Sequence, residues 1–198
     1  MAARGPLNIA IFLFDGAEEL DWAGPWEVLS AWARRWPDDG VTAFTVAEST
    51  DRPVACAKGL RVLADYAWAD APLVDVLLVP GGDTRAVSAD ERVLARVRGL
   101  ASADKLVTSV CTGAFVLEAA GLLEGRPATT HWGSIDGLRD LGVDVRPDAR
   151  FVDAGAVVTA AGVSAGIDMA LHLVARLHSR ERAQEVRRYI QYDPEPPV

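Results

Sequence analysis

The chain alternates between short, nearly continuous apolar runs and longer stretches in which apolar residues recur at helical spacing. Continuous runs predict strands covered on both faces, and the helical spacing predicts amphipathic helices. Strands that alternate with helices predict a mostly parallel sheet with helices on both faces. The predicted strands are 7–14, two pieces of a hairpin within 54–68, two or three pieces within 143–162, and 41–48, 74–82, 105–110 and 126–131. The predicted helices are 18–36, 90–103, 112–125, 164–179 and 181–192.

The chain shows no repeat, no low-complexity segment and no long linker, so we expect one α/β domain over residues 1–198. An apolar run of about 18 residues, which a membrane helix needs, does not occur. The apolar N-terminal run leads directly into Asp15 and Gly16, which favours a buried first strand over a signal peptide. Cys56 and Cys111 are the two cysteines. We expect both to be reduced thiols in a cytoplasmic protein.

The formal net charge is −8, which argues against nucleic acid as a partner because phosphate binding needs clustered Lys and Arg. Neither CxxC nor HExxH occurs, so we expect no metal site. GxGxxG and the phosphate-binding P-loop are also missing, so we expect no nucleotide cofactor. The composition therefore favours a small-molecule substrate as the ligand.

Cys111 lies in the stretch TSVCTG, where a predicted strand ends and a helix of small residues begins. A buried thiol is often inert packing, but a sharp strand-to-helix turn is also the geometry that presents a nucleophile. The turn places the sulfur near a helix N-terminus, which predicts a lowered pKa for the thiol. Gly113, two residues after the cysteine, fits such a turn.

Two further features follow predicted strands. Gly81 and Gly82, in VPGGD, could let backbone N–H groups approach a substrate and stabilise negative charge, or could form an ordinary turn. His131, in TTHW, follows a short strand and is a candidate substrate-binding residue, although a lone histidine is often only packed. Ligands of parallel sheets bind beyond the carboxyl ends of strands, where both features are expected.

Acidic residues gather at the start of the first helix, in DGAEELD. Glu18 and Glu19 are explained by the helix dipole. Asp21 lies between Leu20 and Trp22, and a carboxyl held there against a thiol would have a raised pKa. Asp21 is therefore a candidate general acid or hydrogen-bond donor to sulfur.

These segments together resemble the ThiJ/PfpI superfamily of class I glutamine amidotransferase-like fold. The resemblance rests on FDGAEELDWAGPWEVL, LLVPGG, VTSVCTGAFVLEAAGLLEGRPATTHW, AGIDMALHLVA and QYDPEPP, which cover nearly the whole chain. It implies a flavodoxin-like sandwich, a homodimer, and a nucleophilic Cys111 partnered by Asp21. It also implies that Thr112 positions substrate or water and that backbone near Gly82 faces the reacting centre.

Within the superfamily, the chain is most similar to isonitrile hydratases, in which Thr follows the cysteine as Thr112 does here. The resemblance implies that the Cys111 thiolate adds to the isonitrile carbon while Asp21 delivers a proton. Water would then attack the thioimidate and release an N-substituted formamide. The superfamily's proteases carry His after the cysteine, so Thr112 argues against a protease. Ala160 and Ala161 replace glycines of the hydratase pattern, which leaves the substrate open.

Two other functions compete with the hydratase hypothesis. The same segments resemble the N-terminal domain of AraC-type transcription regulators, which predicts a ligand-sensing domain as one alternative. The other alternative is a redox-stress protein in which Cys111 is oxidised.

Overall fold

The computed structural model describes residues 6–101 and 105–195. The strands in these ranges are β1 (Leu7–Phe12), β2 (Val41–Ala47), β3 (Val54–Ala55), β4 (Arg61–Val62), β5 (Tyr66–Ala67), β6 (Val76–Val79), β7 (Leu106–Val110), β8 (Pro127–Ala128), β9 (Asp144–Val145), β10 (Phe151–Asp153) and β11 (Val157–Ala160). The α-helices are α1 (Glu19–Arg35), α2 (Arg85–Ala89), α3 (Glu91–Leu100), α4 (Gly113–Ala119), α5 (Ile135–Asp140), α6 (Ala165–Leu177) and α7 (Arg180–Tyr189). Two 3-10 turns lie at Pro37–Asp39 and Trp132–Ser134.

Among the described residues, a seven-stranded sheet forms the centre, in the order β10-β11-β7-β6-β1-β2-β5. Every pair in it is parallel except β10 with β11. Strands β6, β7 and β11 are buried at every position, as apolar strands covered by helices on both faces should be. This arrangement confirms the mostly parallel α/β fold that the hydrophobic pattern predicts.

The structure differs from the predicted elements in three places. The helix after Cys111 ends at Ala119 instead of 125, because Gly121 has a positive φ of 75° that a helix does not accept. Residues 54–68 form three pieces: β3 and β4 are the hairpin, while β5 joins β2 at the edge of the main sheet. The short helices α2 and α5 are too brief to leave a helical period in the sequence. Residues 102 and 103 of the predicted helix 90–103 lie outside the described ranges.

Close packing of α1 against α6 brings both helix starts to the edge where β7 ends. A Cβ atom on Gly24 of α1 would lie 2.9 Å from Ile167, so only a glycine admits this α6 side chain. A Cβ atom on Gly166 of α6 would likewise press against the side chains of Pro25 and Val110. The two helices therefore meet over the C-terminal end of the strand that precedes Cys111.

No α-helix within residues 6–101 and 105–195 is both long and apolar enough to cross a membrane.

Replacing Gly113 with Ala tests how tightly the nucleophile turn is packed. The added Cβ would lie 2.3 Å from the Val79 carbonyl oxygen and 2.8 Å from that of Pro80, both of which are backbone atoms. We expect Gly113→Ala to lower the free energy of unfolding by about 2–3 kcal/mol, measured by urea denaturation.

The matched control is Gly99→Ala in α3, where a Cβ would meet no described atom within 4 Å. Because alanine restricts the unfolded chain and favours helix, this variant should be neutral or more stable by about 0.5 kcal/mol. Equal stability of both variants would show that Gly113 is not packed tightly against the Val79 and Pro80 carbonyl oxygens.

Candidate active site

Cys111 occupies a strained turn between β7 and α4. Its φ is 57°, a left-handed conformation that a residue with a Cβ atom adopts only when its surroundings impose it. Its N–H donates to the carbonyl oxygens of Ala160 (3.1 Å) and Ala161 (2.9 Å). The Thr130 hydroxyl donates to the Cys111 carbonyl oxygen at 2.7 Å. The turn is thus held from both sides in the geometry that presents a nucleophile above a parallel sheet.

The sulfur lies in a sheltered, partly polar environment. Cys111 is only 7% exposed, and burial followed by the charge of Asp21 raises the pKa of its thiol to about 11. The N–H groups of Thr112 and Val163 oppose this rise in pKa by hydrogen bonding to the sulfur. The lowered thiol pKa expected from the helix N-terminus is therefore wrong, because burial and the neighbouring carboxylate outweigh these donors.

Asp21 is fully buried in the first turn of α1. Gly81 N–H donates to its Oδ2 at 2.9 Å. Its Oδ1 has no partner of ordinary hydrogen-bond geometry among the described residues, although Cys111 is close enough to lower the pKa of the carboxyl by hydrogen bonding. Burial, and to a lesser extent the charge of Glu18, raises the pKa of Asp21 to about 7. This result agrees with the raised pKa predicted from sequence.

Asp21 and Cys111 together form a proton-sharing pair. With pKa values of about 7 and about 11, the pair holds a single proton over the intervening pH range. These values belong to the coupled pair and not to either group alone. The site thus presents a thiol beside a carboxyl group with which it can exchange a proton.

Gly81 and Gly82 join Asp21 to the nucleophile turn. Gly82 N–H donates to Thr112 Oγ1 at 2.9 Å. The Thr112 hydroxyl in turn donates to the Gly82 carbonyl oxygen at 3.0 Å. A Cβ on Gly81 would lie 2.6 Å from Thr112 N and 2.8 Å from Asp21 Oδ2. Both glycine amides therefore donate within the protein. Contact of either glycine with a substrate stays a prediction.

Thr112 has one hydroxyl proton and two acceptors within reach. It donates to the Gly82 carbonyl oxygen, and it also lowers the pKa of the Cys111 thiol by side-chain hydrogen bonding. A hydroxyl can turn from one acceptor to the other as the sulfur becomes charged. Thr112 thus links Gly82 to the sulfur, while its predicted role in positioning substrate or water stays a prediction.

His131 lies beside the loop before α6, which carries Val163. A Cβ on Gly162 would lie 2.6 Å from the imidazole Cδ2, so the ring packs directly against this glycine. Its Nδ1 accepts from Gly133 N–H at 3.1 Å, which leaves the proton of the neutral ring on Nε2. The predicted role of His131 in substrate binding remains untested by these contacts. Within the described residues, no group of three or more His, Cys, Asp or Glu side chains could hold a metal ion.

The sequence did not reveal two contributors to the site. Val163 has a φ of 36°, which is rare for a β-branched residue, and its N–H reaches the sulfur. Glu18 raises the pKa of Asp21. In the sequence, the helix dipole alone had explained an acidic residue at this position. Both effects depend on which loops the fold brings together, and no sequence pattern marks them.

Replacing Thr112 with Val should remove a donor to the sulfur and leave Gly82 N–H without its acceptor. We expect slower alkylation of Cys111 by iodoacetamide at pH 9, because the thiol pKa rises, and a loss of about 1–2 kcal/mol in unfolding free energy. Thr112→Ser keeps the hydroxyl and should restore both quantities. A serine variant as impaired as the valine variant would contradict a hydroxyl role.

Replacing Asp21 with Asn should lower the pKa of the Cys111 thiol from about 11 by about one unit or more, since the variant lacks the nearby negative charge. The ultraviolet absorbance of the thiolate, followed against pH, measures this change. Cys111→Ala supplies the background, which includes Cys56. An unchanged thiol titration in Asp21→Asn would show that the two side chains are not electrostatically coupled.

Comparison with known proteins finds similar proteins over nearly the whole chain. The chain is 40% identical over 192 residues to an isonitrile hydratase of Pseudomonas putida, an alignment that covers 96% of this chain and 81% of that protein. It is 27% identical over 192 residues to the HTH-type transcriptional regulator GbdR of Pseudomonas aeruginosa, covering 96% of this chain but only 52% of the regulator.

A crystal structure of a ThiJ/PfpI family protein from Pseudomonas syringae superposes with a TM-score of 0.87 at 34% identity. That match covers 99% of this chain and 79% of the other. The family described as DJ-1/PfpI matches residues 7–176. The strained cysteine turn, the buried acidic partner and these matches together show that the chain belongs to the DJ-1/PfpI family.

Proposed function

We propose that this protein is a cysteine-dependent enzyme that hydrates an isonitrile to an N-substituted formamide. The observation that carries the proposal is the burial of the Asp21 carboxyl beside the Cys111 thiol. An isonitrile carbon accepts a nucleophile and a proton at the same atom. A thiol beside one acid–base group can supply both, so the pair suits this substrate. The 40% identity to an isonitrile hydratase supports the same reaction.

The first half of the reaction adds the S–H bond of Cys111 across the isonitrile carbon. The Asp21 carboxylate takes the thiol proton as the sulfur forms its bond to carbon, and then transfers that proton to the same carbon. The product is a thioimidate in which carbon carries sulfur, hydrogen and a double bond to nitrogen. Thr112 and the Val163 N–H stabilise negative charge on sulfur during the transfer.

The second half adds water to the thioimidate. Asp21, again a carboxylate, takes a proton from the attacking water and passes it to the nitrogen, which gives a tetrahedral adduct with one N–H and one O–H bond. As the C–S bond breaks, the adduct's hydroxyl proton passes through Asp21 to the departing sulfur, which releases the formamide and restores the thiol. Atoms balance as isonitrile plus water giving formamide, so the reaction needs no oxidant and no cofactor.

Acyl transfer fits the site less well. Hydrolysis of a carbonyl substrate needs donors aimed at a developing oxyanion, and the amides of Gly81 and Gly82 already donate to Asp21 and Thr112. A redox role is also disfavoured, because the raised pKa of the Cys111 thiol lowers the fraction of thiolate that peroxide oxidises. The expected homodimer stays a prediction.

Ligand sensing is the second candidate function, favoured by the similarity to GbdR. A sensor would bind its ligand beside Cys111 and Asp21 without turning it over. Binding without product formation is therefore the outcome that separates the two functions.

We expect the protein to convert a simple isonitrile, such as cyclohexyl isocyanide, to its formamide, measured by mass spectrometry. Cys111→Ala should abolish the product, while Cys56→Ala, which changes the other buried thiol, should retain it. In D₂O the formyl position should carry deuterium because the transferred proton is exchangeable.

The value of kcat/KM should rise as pH increases through about 7, since Asp21 must be ionised to accept the thiol proton.

Failure of a panel of aliphatic and aromatic isonitriles to yield formamide would overturn the hydratase proposal. Saturable binding of an isonitrile or formamide without turnover would then favour ligand sensing.

A further inference from the structure

A cation and two carboxylates join the β3–β4 hairpin to the start of α1. Glu19 Oε1 accepts from Lys58 N–H at 2.7 Å, and Ala57 N–H donates to the Ala17 carbonyl oxygen at 2.9 Å. These bonds fix the backbone of the hairpin turn over the first residues of the helix. The side chain of Lys58 then forms an ion pair with Glu18. We call Glu18, Glu19 and Lys58 the clasp.

The backbone of Glu18 is tied to the groups that hold Asp21. Glu18 N–H donates to the Gly81 carbonyl oxygen at 2.9 Å, while Gly81 N–H donates to Asp21 Oδ2. Asp21 N–H donates in turn to the Glu18 carbonyl oxygen at 3.2 Å. The side chain of Glu18 is 17% exposed, against 67% for that of Lys58. A carboxylate sheltered to this degree is poorly screened by solvent, so its charge acts on the neighbouring Asp21.

The charged and polar groups around Asp21 come from four elements. The start of α1 contributes Glu18 and Glu19, and the hairpin contributes Lys58. The turn between β7 and α4 contributes Cys111, and the loop after β6 contributes the N–H of Gly81. Glu18 raises the pKa of Asp21, whereas Lys58 lowers it. The two members of the ion pair therefore act on the carboxyl in opposite directions.

We propose that Lys58 is a positioning residue for the Asp21–Cys111 pair: through its ion pair with Glu18 it offsets the negative charge beside Asp21 and so favours the carboxylate that takes the thiol proton. Lys58 acts through Asp21 and takes no part in bond making. The inference rests on the proposed function for its effect on turnover, while the effect on Cys111 reactivity is independent of any substrate.

The test follows the pH dependence of Cys111 alkylation by iodoacetamide, with Cys111→Ala as background. Ionisation of Asp21 gives the lower step of this profile, near pH 7. We expect Lys58→Met to move the step upward and Glu18→Gln to move it downward, each by roughly half a pH unit. The double variant should return near the position of the unaltered protein, and Lys58→Arg should leave the step in place.

Arg52→Met is the matched control for Lys58→Met. Arg52 precedes β3, and its side chain has the same 67% exposure, but it pairs with Asp15 at 2.8 Å. The control variant therefore removes an equal charge from the same hairpin without touching the clasp, and its step should not move.

A purely structural role for the clasp predicts another pattern. If Lys58 only fastened the hairpin, Lys58→Met would lower the thermal midpoint and slow alkylation at every pH, and the double variant would be no better. Unmoved steps, or a double variant that fails to return, would overturn the inference.

Formamide production by the same variants separates this inference from the proposed function. Shifted alkylation steps in a protein that makes no formamide would uphold the role of Lys58 and remove the hydratase. Formamide production with alkylation steps that stay in place would do the reverse. If both hold, the rising limb of kcat/KM should move with the alkylation step in each variant.

Discussion

The burial of the Asp21 carboxyl against the Cys111 thiol is the interaction on which the proposed chemistry depends. Burial disfavours the charged forms of both groups, and the charge of Asp21 further disfavours ionisation of Cys111, whereas hydrogen bonding by Cys111 favours the Asp21 carboxylate. The result is a carboxyl group and a thiol that titrate as a coupled pair. A solvated pair would ionise independently, and the thiol proton would then be lost to water instead of being transferred to a substrate.

This pair is assembled from segments that are far apart in the chain. Asp21 comes from the first helix, Cys111 from the turn after β7, and Val163 from the loop before α6. The glycine loop after β6 links the first two, because Gly81 donates to Asp21 and Gly82 bonds to Thr112. A side chain at Gly81 would collide with Asp21 and Thr112, and a side chain at Gly82 would collide with the backbone of residues 16–18, so the two glycines allow this close approach.

The sequence was most informative where local pattern and global fold agree. Uniformly apolar strands such as β6 and β7 predicted a parallel sheet. The cysteine between a strand and a helix of small residues predicted the sharp turn at Cys111. Prediction was weaker for short elements such as α2, and for the helix after Cys111, whose end is set by a left-handed glycine. Residues 54–68 were predicted as one hairpin, yet β5 left it to extend the main sheet, because edge pairing depends on the neighbouring strand.

The sequence by itself determined the α/β architecture and marked Cys111 and Asp21 as the candidate nucleophile and its acidic partner, since these follow from hydrophobic periodicity and from residue types at strand ends. Only the tertiary structure decided the direction of the thiol pKa, the reach of the Val163 amide and the involvement of Glu18 and Lys58. Charge effects depend on distance and burial, and both are properties of segments brought together by folding. A residue type in a sequence carries neither quantity.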